Sequence, residues 1–327
     1  MREQGAEAGA GAAGGASAGA GAETGAEAGS AGAGAAGGAG AGAEARAPDP
    51  ERFLSGSSGD PGRGLVLRAR RIADRLLDAH VARAAGPRLD ELAAAAPERE
   101  VLVLSVYRGE GGLLPAALAE LRGTRHAVRF ALGSMGTAAE QLATATAATG
   151  MSGGKFENLD ALLGTAGDRA DWTLVVDDDV VLPTRFLDRL LGLAEHHDLA
   201  LAQPAQSLAS HAAWPVTRRR RGSLLRVSRF VEIGPVTLFR RDALDALTPF
   251  PPLKFGWGLD LHWAAVAEER GWQLGIADAL AVRHEQARVA GTYSSREAIE
   301  EAREFLAGRP FLDSAAVQET LRVHPLR

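Results

Sequence analysis

Residues Trp172 to Pro183 read WTLVVDDDVVLP. A short run of Trp, Thr, Leu and Val ends at three consecutive carboxylates, Asp177, Asp178 and Asp179, and turns apolar again through Val180, Val181 and Leu182. An apolar run of that length bounded by charge reads as a buried strand. Three adjacent carboxylates at one strand end repel one another, and a bound divalent cation removes that repulsion. A lone Asp after a strand often caps a turn or helix, but three in a row before a Pro-initiated helix are hard to explain as caps. The chain has no cysteine, which excludes disulfides, cysteine-ligated zinc, iron-sulfur clusters and cysteine nucleophiles. Any metal must then sit on oxygen or imidazole, which points to Mg²⁺ or Mn²⁺.

Upstream of this stretch, strand and helix signals alternate. Val101 to Tyr107 (VLVLSVY) reads as a strand, Leu113 to Leu121 as a helix after a Gly-rich turn, and Ala127 to Leu132 (AVRFAL) as a second strand. Thr137 to Ala148 and Phe156 to Leu163 read as helices, and Trp172 to Val176 is then the third strand. This rhythm predicts an α/β fold of βαβ units on a mostly parallel central sheet flanked by helices, with ligands held beyond the carboxyl ends of the strands.

The chain begins differently. From Gly5 to Ala45 it is almost all Gly and Ala, without Leu, Ile, Val, Phe or Trp, so it cannot offset its ordering entropy. Residues 1–50 are expected to be a disordered tail, residues 51–98 an amphipathic helical lead-in, 99–290 a single catalytic domain and 291–327 a C-terminal helical segment. In the lead-in, Leu65, Leu67, Ile72, Leu76, Leu77 and Val81 recur at helical spacing among arginines until Pro87, and packing on the body is the expected use of that face. Neither a secretion signal nor a membrane-spanning apolar stretch is evident. The expected location is the cytoplasm, with peripheral contact at the inner face of a membrane as the further option. The net charge is -5 over 327 residues, and the tail holds most of it. A nearly neutral body argues against a nucleic-acid partner.

An apolar strand followed by Asp also occurs in P-loop proteins, but Gly150 to Lys155 (GMSGGK) is one residue short of the phosphate-loop spacing, and Phe156 follows where a hydroxyl is needed. Four segments in order instead resemble a family 2-type glycosyltransferase with the GT-A fold, over roughly residues 100 to 290. They are VLVLSVY, SGGKFENLDALL (Ser152 to Leu163), WTLVVDDDVVLP, and VEIGPVTLFRRDAL followed by FGWGLDLHWAAVAEERGW (Val231 to Trp272).

The resemblance implies metal-dependent transfer of a sugar from a nucleoside-diphosphate sugar to a hydroxyl acceptor, a glycan, lipid-linked or small molecule. It implies Asp177 and Asp178 near ribose and metal, Asp179 as direct metal ligand, and His284, after the apolar strand Leu274 to Val282, completing the metal shell. Asp260, which follows Gly256-Trp257-Gly258, would be the general base of an inverting reaction; on spacing alone it is equally well a helix cap. Tyr107 would stack on a base, and Lys155 and Asn158 would face base or phosphate. Many relatives carry an Asp after the second strand to hold uracil; here that place reads Leu132-Gly133-Ser134. Arg218, Arg219, Arg220 and Arg221, with Trp257, are candidates for an acceptor or phosphate loop, and a solvated loop is the plainer reading of the arginines.

Two other readings use the same residues. Asp177-x-Asp179 fits a haloacid-dehalogenase-like phosphohydrolase, with the first Asp as nucleophile, although two βα units precede it where that motif normally opens its domain. A non-catalytic scaffold binding a nucleotide or glycan would use the same cleft without turnover.

Overall fold

A computed structural model describes residues 63–167, 170–284 and 294–326; the expected tail, residues 1–50, lies outside them. The sheet is built from β1 (Glu100–Tyr107), β2 (Ala127–Ser134), β3 (Thr146–Ala148), β4 (Trp172–Val176), β6 (Leu199–Gln206), β7 (Ser223–Ser228), β8 (Val236–Arg240), β9 (Gln273–His284) and β10 (Thr320–Pro325), in the spatial order β10-β7-β9-β6-β8-β4-β1-β2-β3. A two-residue strand, β5 (Val180–Val181), pairs with β9 off this path. β1 runs parallel to β2 and β4, and β6 parallel to β9, whereas β8 is inserted antiparallel between β4 and β6. The mostly parallel α/β sheet expected from the alternating signals is therefore present.

Strand alternation divides the core. Val101 and Val103 of β1 pack into one apolar cluster and Leu102 and Leu104 into the other, as a period of two requires. The first cluster takes its helical share from Val81 and from α2 (Gly86–Ala95), α3 (Leu114–Arg122) and α5 (Phe186–His196). The second takes it from α4 (Lys155–Thr165), α6 (Arg241–Leu247), α7 (Leu259–Arg270) and α8 (Ser295–Leu306). In the second, Trp263 stands edge-on to Phe156 and Phe239 at 5.4 and 5.2 Å between ring centroids, a favourable aromatic arrangement.

Three expectations are corrected. Thr137 to Ala148 is not an α-helix: Glu140–Ala145 form a 3₁₀ turn and Thr146–Ala148 the edge strand β3. The segment is dominated by Ala and Thr, and only Ala139, Leu142 and Ala145 are buried in it, so no helical stripe outweighs pairing with β2. The C-terminal segment is helical only in α8, and its end is the edge strand β10. The lead-in does form a helix, α1 (Gly64–Ala84), ended well before Pro87, which lies in the first turn of α2. Packing on the body holds for only part of its apolar set: Val81 is buried in the first cluster and Leu67 and Leu77 are half-buried, whereas Leu65, Ile72 and Leu76 are 81%, 58% and 68% exposed.

Close approach of α2 and α5 depends on one glycine. A Cβ at Gly192 would lie 2.6 Å from the Ala93 amide nitrogen, whereas one at Gly164 in α4 would meet nothing within 4 Å. Gly192→Val is expected to destabilise the fold by about 1–3 kcal/mol through overpacking, lowering Tm by roughly 3–10 °C. Gly164→Ala should leave Tm unchanged or raise it. Scanning calorimetry of the two variants checks the contrast.

Candidate active site

The carboxyl end of β4 is where the chemistry-bearing side chains converge. Asp177 leaves the strand with its N–H donated to the carbonyl of Pro235, the residue just before β8. One turn later β5 pairs antiparallel with the far end of β9, Val180 opposite His284 and Val181 opposite Arg283. This pairing sets donor atoms of Asp177, Asp179 and His284 within 4.8 Å of one another. His284 Nε2 lies 2.9 Å from Asp179 Oδ2, and its backbone N–H donates to Ser210 Oγ at 3.0 Å. Burial opposes a charge on the imidazole, but the hydrogen bond and charge of Asp179, with Asp177 and Glu232 adding to it, hold its pKa above the ordinary value.

This set fits a hard divalent cation. Two carboxylates and one imidazole are donors suited to Mn²⁺ or Mg²⁺, and Asp179 Oδ1 is buried with no hydrogen-bond partner among the described residues, an orphan acceptor that a cation would satisfy. On the other side of Asp177, Lys155 Nζ is 2.6 Å from Oδ1 and donates to the Ile233 carbonyl at 3.0 Å. Lys155 opens α4, so its ammonium sits beside the helix N-terminus, where cationic and helix-end fields both favour anions.

Asp178 faces away from this triad. Its Oδ2 accepts from the Arg108 N–H at 3.3 Å, its carbonyl accepts from the Leu113 N–H at 2.7 Å, and a Cβ at Gly112 would lie 2.6 Å from that carbonyl oxygen. Asp178 thus secures the β1–α3 turn beside the cleft. Burial raises its pKa, relieved in part by the Arg108 N–H, with Asp179 and Asp177 raising it further.

Asp260 lies in the first turn of α7, 4% exposed. Its Oδ1 accepts from the Leu261 N–H at 3.0 Å, so it contributes to the helix start as well as carrying a carboxyl group. Burial pushes its pKa up to about 7. A second carboxyl, Glu232, shares its environment: burial and then the charge of Asp260 push Glu232 up to about 8. Glu232 Oε2 has no hydrogen-bond partner among the described residues, while its N–H donates to Gln203 Oε1. Glu232 was not singled out from sequence. Its only signal is a lone acid in the otherwise apolar run FVEIGPV, Phe230 to Val236.

The loop before Asp260 is held from α8. Glu301 accepts three consecutive backbone N–H groups, those of Lys254, Phe255 and Gly256, at 2.6, 2.9 and 3.2 Å. Gly154 closes against the same loop, since a Cβ there would lie 1.9 Å from the Leu253 carbonyl oxygen. Trp257, in this loop, is half-buried against the second core cluster.

Several expected binding residues are structural instead. Tyr107 is 1% exposed, and its hydroxyl bonds Thr146 Oγ1 at 2.8 Å and accepts from the Ala139 N–H at 3.1 Å, leaving no face for a base. Asn158 is buried and spends its amide on both backbone groups of Gly153, at 3.2 and 2.9 Å. Arg218 is half-buried against the carbonyls of Ser207, Leu208 and Ser210, and Arg219, 7% exposed, pairs with Asp78 at 2.6 Å. Arg220 donates its backbone N–H to Asp278 and is exposed with Arg221. The four arginines therefore do not act as one phosphate loop, because two of them point back into the protein.

The sequence model described as glycosyltransferase like family 2 matches residues 86–303. The chain belongs to this family. It is a glycosyltransferase, and the phosphohydrolase and non-catalytic readings of the aspartates give way to that assignment. The match starts in α2 and leaves α1 outside. Among solved structures, a mycobacterial protein aligns at 17% identity over 72% of this chain and 87% of its own, with a TM-score of 0.48. TarS of S. aureus, residues 1–349 in complex with UDP-GlcNAc, aligns at 11% identity over 64% and 65%, with a TM-score of 0.45. GalNAc-T7 with UDP, GalNAc and Mn²⁺ aligns at 10% identity over 57% and 44%, with a TM-score of 0.44. No curated protein matches the sequence.

The anchoring of the 254–256 loop yields a direct test. Glu301→Ala leaves three N–H groups without their acceptor, and the expected loss is about 1–3 kcal/mol of stability, with a fall in turnover because the loop leads into Asp260. Glu301→Gln, which keeps one of the two accepting oxygens and loses the charge, should fall between. Thermal melts and initial rates on the three proteins measure it.

Proposed function

We propose that this family 2 enzyme transfers a sugar from a nucleoside-diphosphate sugar to a hydroxyl acceptor, with inversion at the anomeric carbon and Asp260 as general base. The observation that carries the reading is the convergence of Asp177, Asp179 and His284 at the end of β4, with the buried acid Asp260 in the turn that opens α7. Asp177, Asp179 and His284 would hold Mn²⁺ or Mg²⁺, which when bound neutralises charge building on the departing diphosphate. Lys155 adds a fixed positive charge to the same place. Trp257, in the loop before Asp260, would meet the acceptor in this reading.

The proton step belongs to Asp260. As the acceptor oxygen forms its bond to the anomeric carbon, the bond from that carbon to the diphosphate oxygen breaks. The hydroxyl proton passes to the Asp260 carboxylate, and the nucleoside diphosphate leaves with the bonding pair. A pKa near 7 suits this role, because a base is most effective when its affinity for the proton is matched to the working pH. Burial raises both carboxyls, and the charge of Asp260 raises Glu232 further, so the two titrate as a coupled pair.

Two outcomes follow. Isothermal calorimetry with Mn²⁺ alone should show binding to the parent and at least about 10-fold weaker binding to Asp179→Ala and to His284→Ala; equal binding in all three would remove the metal assignment. For the base, a carboxyl with a raised pKa is protonated, and inactive, below that pKa. The acidic limb of kcat/KM should thus fall near pH 7, far above the ordinary range for Asp. Asp260→Asn, whose amide oxygen can still accept the Leu261 N–H, should lower turnover about 100-fold or more while leaving Mn²⁺ binding within a few-fold.

A further inference from the structure

Helix α1 carries two apolar faces: Val81, with the half-buried Leu67 and Leu77, meets the body, and a second stripe of large apolar side chains faces outward. On the body side, Asp74 is 2% exposed and accepts the backbone N–H groups of Leu208 and Ala209 at 2.9 and 2.8 Å. One turn on, Asp78 takes the Arg219 guanidinium at 2.6 Å. Leu65, Ile72 and Leu76, at i, i+7 and i+11, share the opposite side and are 81%, 58% and 68% exposed. Both acids of the helix are therefore committed to the body, while Arg68 and Arg75 stand exposed beside the apolar stripe, with Arg63 and Arg83 exposed toward its ends. A solvated helix keeps its outer face polar; this one adds a stripe of large apolar side chains to that face.

We propose that α1 docks on an anionic lipid bilayer, with Leu65, Ile72 and Leu76 entering the boundary between headgroups and acyl chains and the flanking arginines meeting lipid phosphates. Charge decides between the candidate occupants. The stripe is bordered by arginines and neither acid of the helix lies on its side, so a second copy packed α1 to α1 would set arginine against arginine. The Gly/Ala-rich stretch from Gly5 to Ala45 has no large apolar side chain with which to cover it. An anionic surface satisfies both the apolar and the basic components. α1 also lies outside the stretch matched by the family, so the docking element is separate from the transferase machinery, and no helix among the described residues is long and apolar enough to cross a membrane.

The test uses the full chain without metal or donor, floated with vesicles of phosphatidylcholine alone or with about 30% phosphatidylglycerol. Binding is expected to the anionic vesicles, to weaken as salt is raised, and to be at least about 10-fold weaker to phosphatidylcholine alone. Ile72→Glu/Leu76→Glu and, separately, Arg68→Glu/Arg75→Glu should each reduce binding about 10-fold or more. Because these side chains are exposed, Tm and Mn²⁺ affinity should match the parent, so lost vesicle binding reports the surface and not the fold. Absence of binding to anionic vesicles, or variants that bind as the parent does, overturns the proposal. So does a concentration-dependent dimer, seen by sedimentation, that Ile72→Glu/Leu76→Glu abolishes while vesicle binding is absent, since the face would then belong to a second copy.

Discussion

The site rests on one short piece of backbone pairing. β5 is two residues long, and its ladder to the end of β9 puts Val180 opposite His284. Without it the aspartates after β4 would face the cleft with no imidazole beside them. β9 can serve this purpose because it is twelve residues long: its first half is buried in the sheet between β6 and β7, and its last residues run beyond β7 to reach β5. Antiparallel β8 completes the geometry, since Pro235, immediately before it, accepts the Asp177 N–H at the same end of the sheet.

A second arrangement explains why the basic run is not a phosphate loop. Arg226 of β7 is buried and makes two hydrogen bonds to Asp278 of β9, at 2.8 and 2.9 Å, while its remaining N–H groups hold the carbonyls of Val216 and Arg218 at 2.7 and 2.8 Å. Asp278 also accepts the Arg220 N–H. With four of the five guanidinium N–H groups used, this buried pair gains hydrogen bonding against its desolvation, and it fixes the 215–220 segment to the sheet. Trp214 and Thr217, at the start of that segment, reach the Asp260 and Glu232 carboxyl groups. Arg219 of the same segment pairs with Asp78 of α1, so it joins the outer helix to the acidic pair.

What the sequence made legible was periodic or dense in charge. β1, β2, β4 and α4 follow from apolar runs and their spacing, and the aspartate run locates the cleft because carboxylates at a strand end have few structural uses. Tyr107 and Asn158 were misread because position after a strand or at a helix start does not reveal whether a polar tip is already satisfied internally: one bonds Thr146 and Ala139, the other Gly153. Thr137 to Ala148 was misread because alanine favours helix only while no sheet edge competes for the backbone. The spacing in α1 gave the right helix but not its split into two apolar faces, Val81 with Leu67 and Leu77 toward the body and Leu65, Ile72 and Leu76 away from it, since periodicity does not say which face meets the body. Glu232 and Glu301 left almost no trace, because a partner far away in sequence defines each of them.

The β5–β9 contact also orders events in time. Positions 180 and 284 are roughly 100 residues apart, and a pairing that spans such a loop forms only after the intervening chain exists. At about 5 to 20 residues per second on the ribosome, the aspartates emerge roughly 5 to 20 s before the imidazole that they will face. During synthesis β1, β2 and β4 can already pair, yet the cleft is unfinished until the last central strand of the sheet is laid in, which makes the chemistry of this enzyme a late product of its own translation.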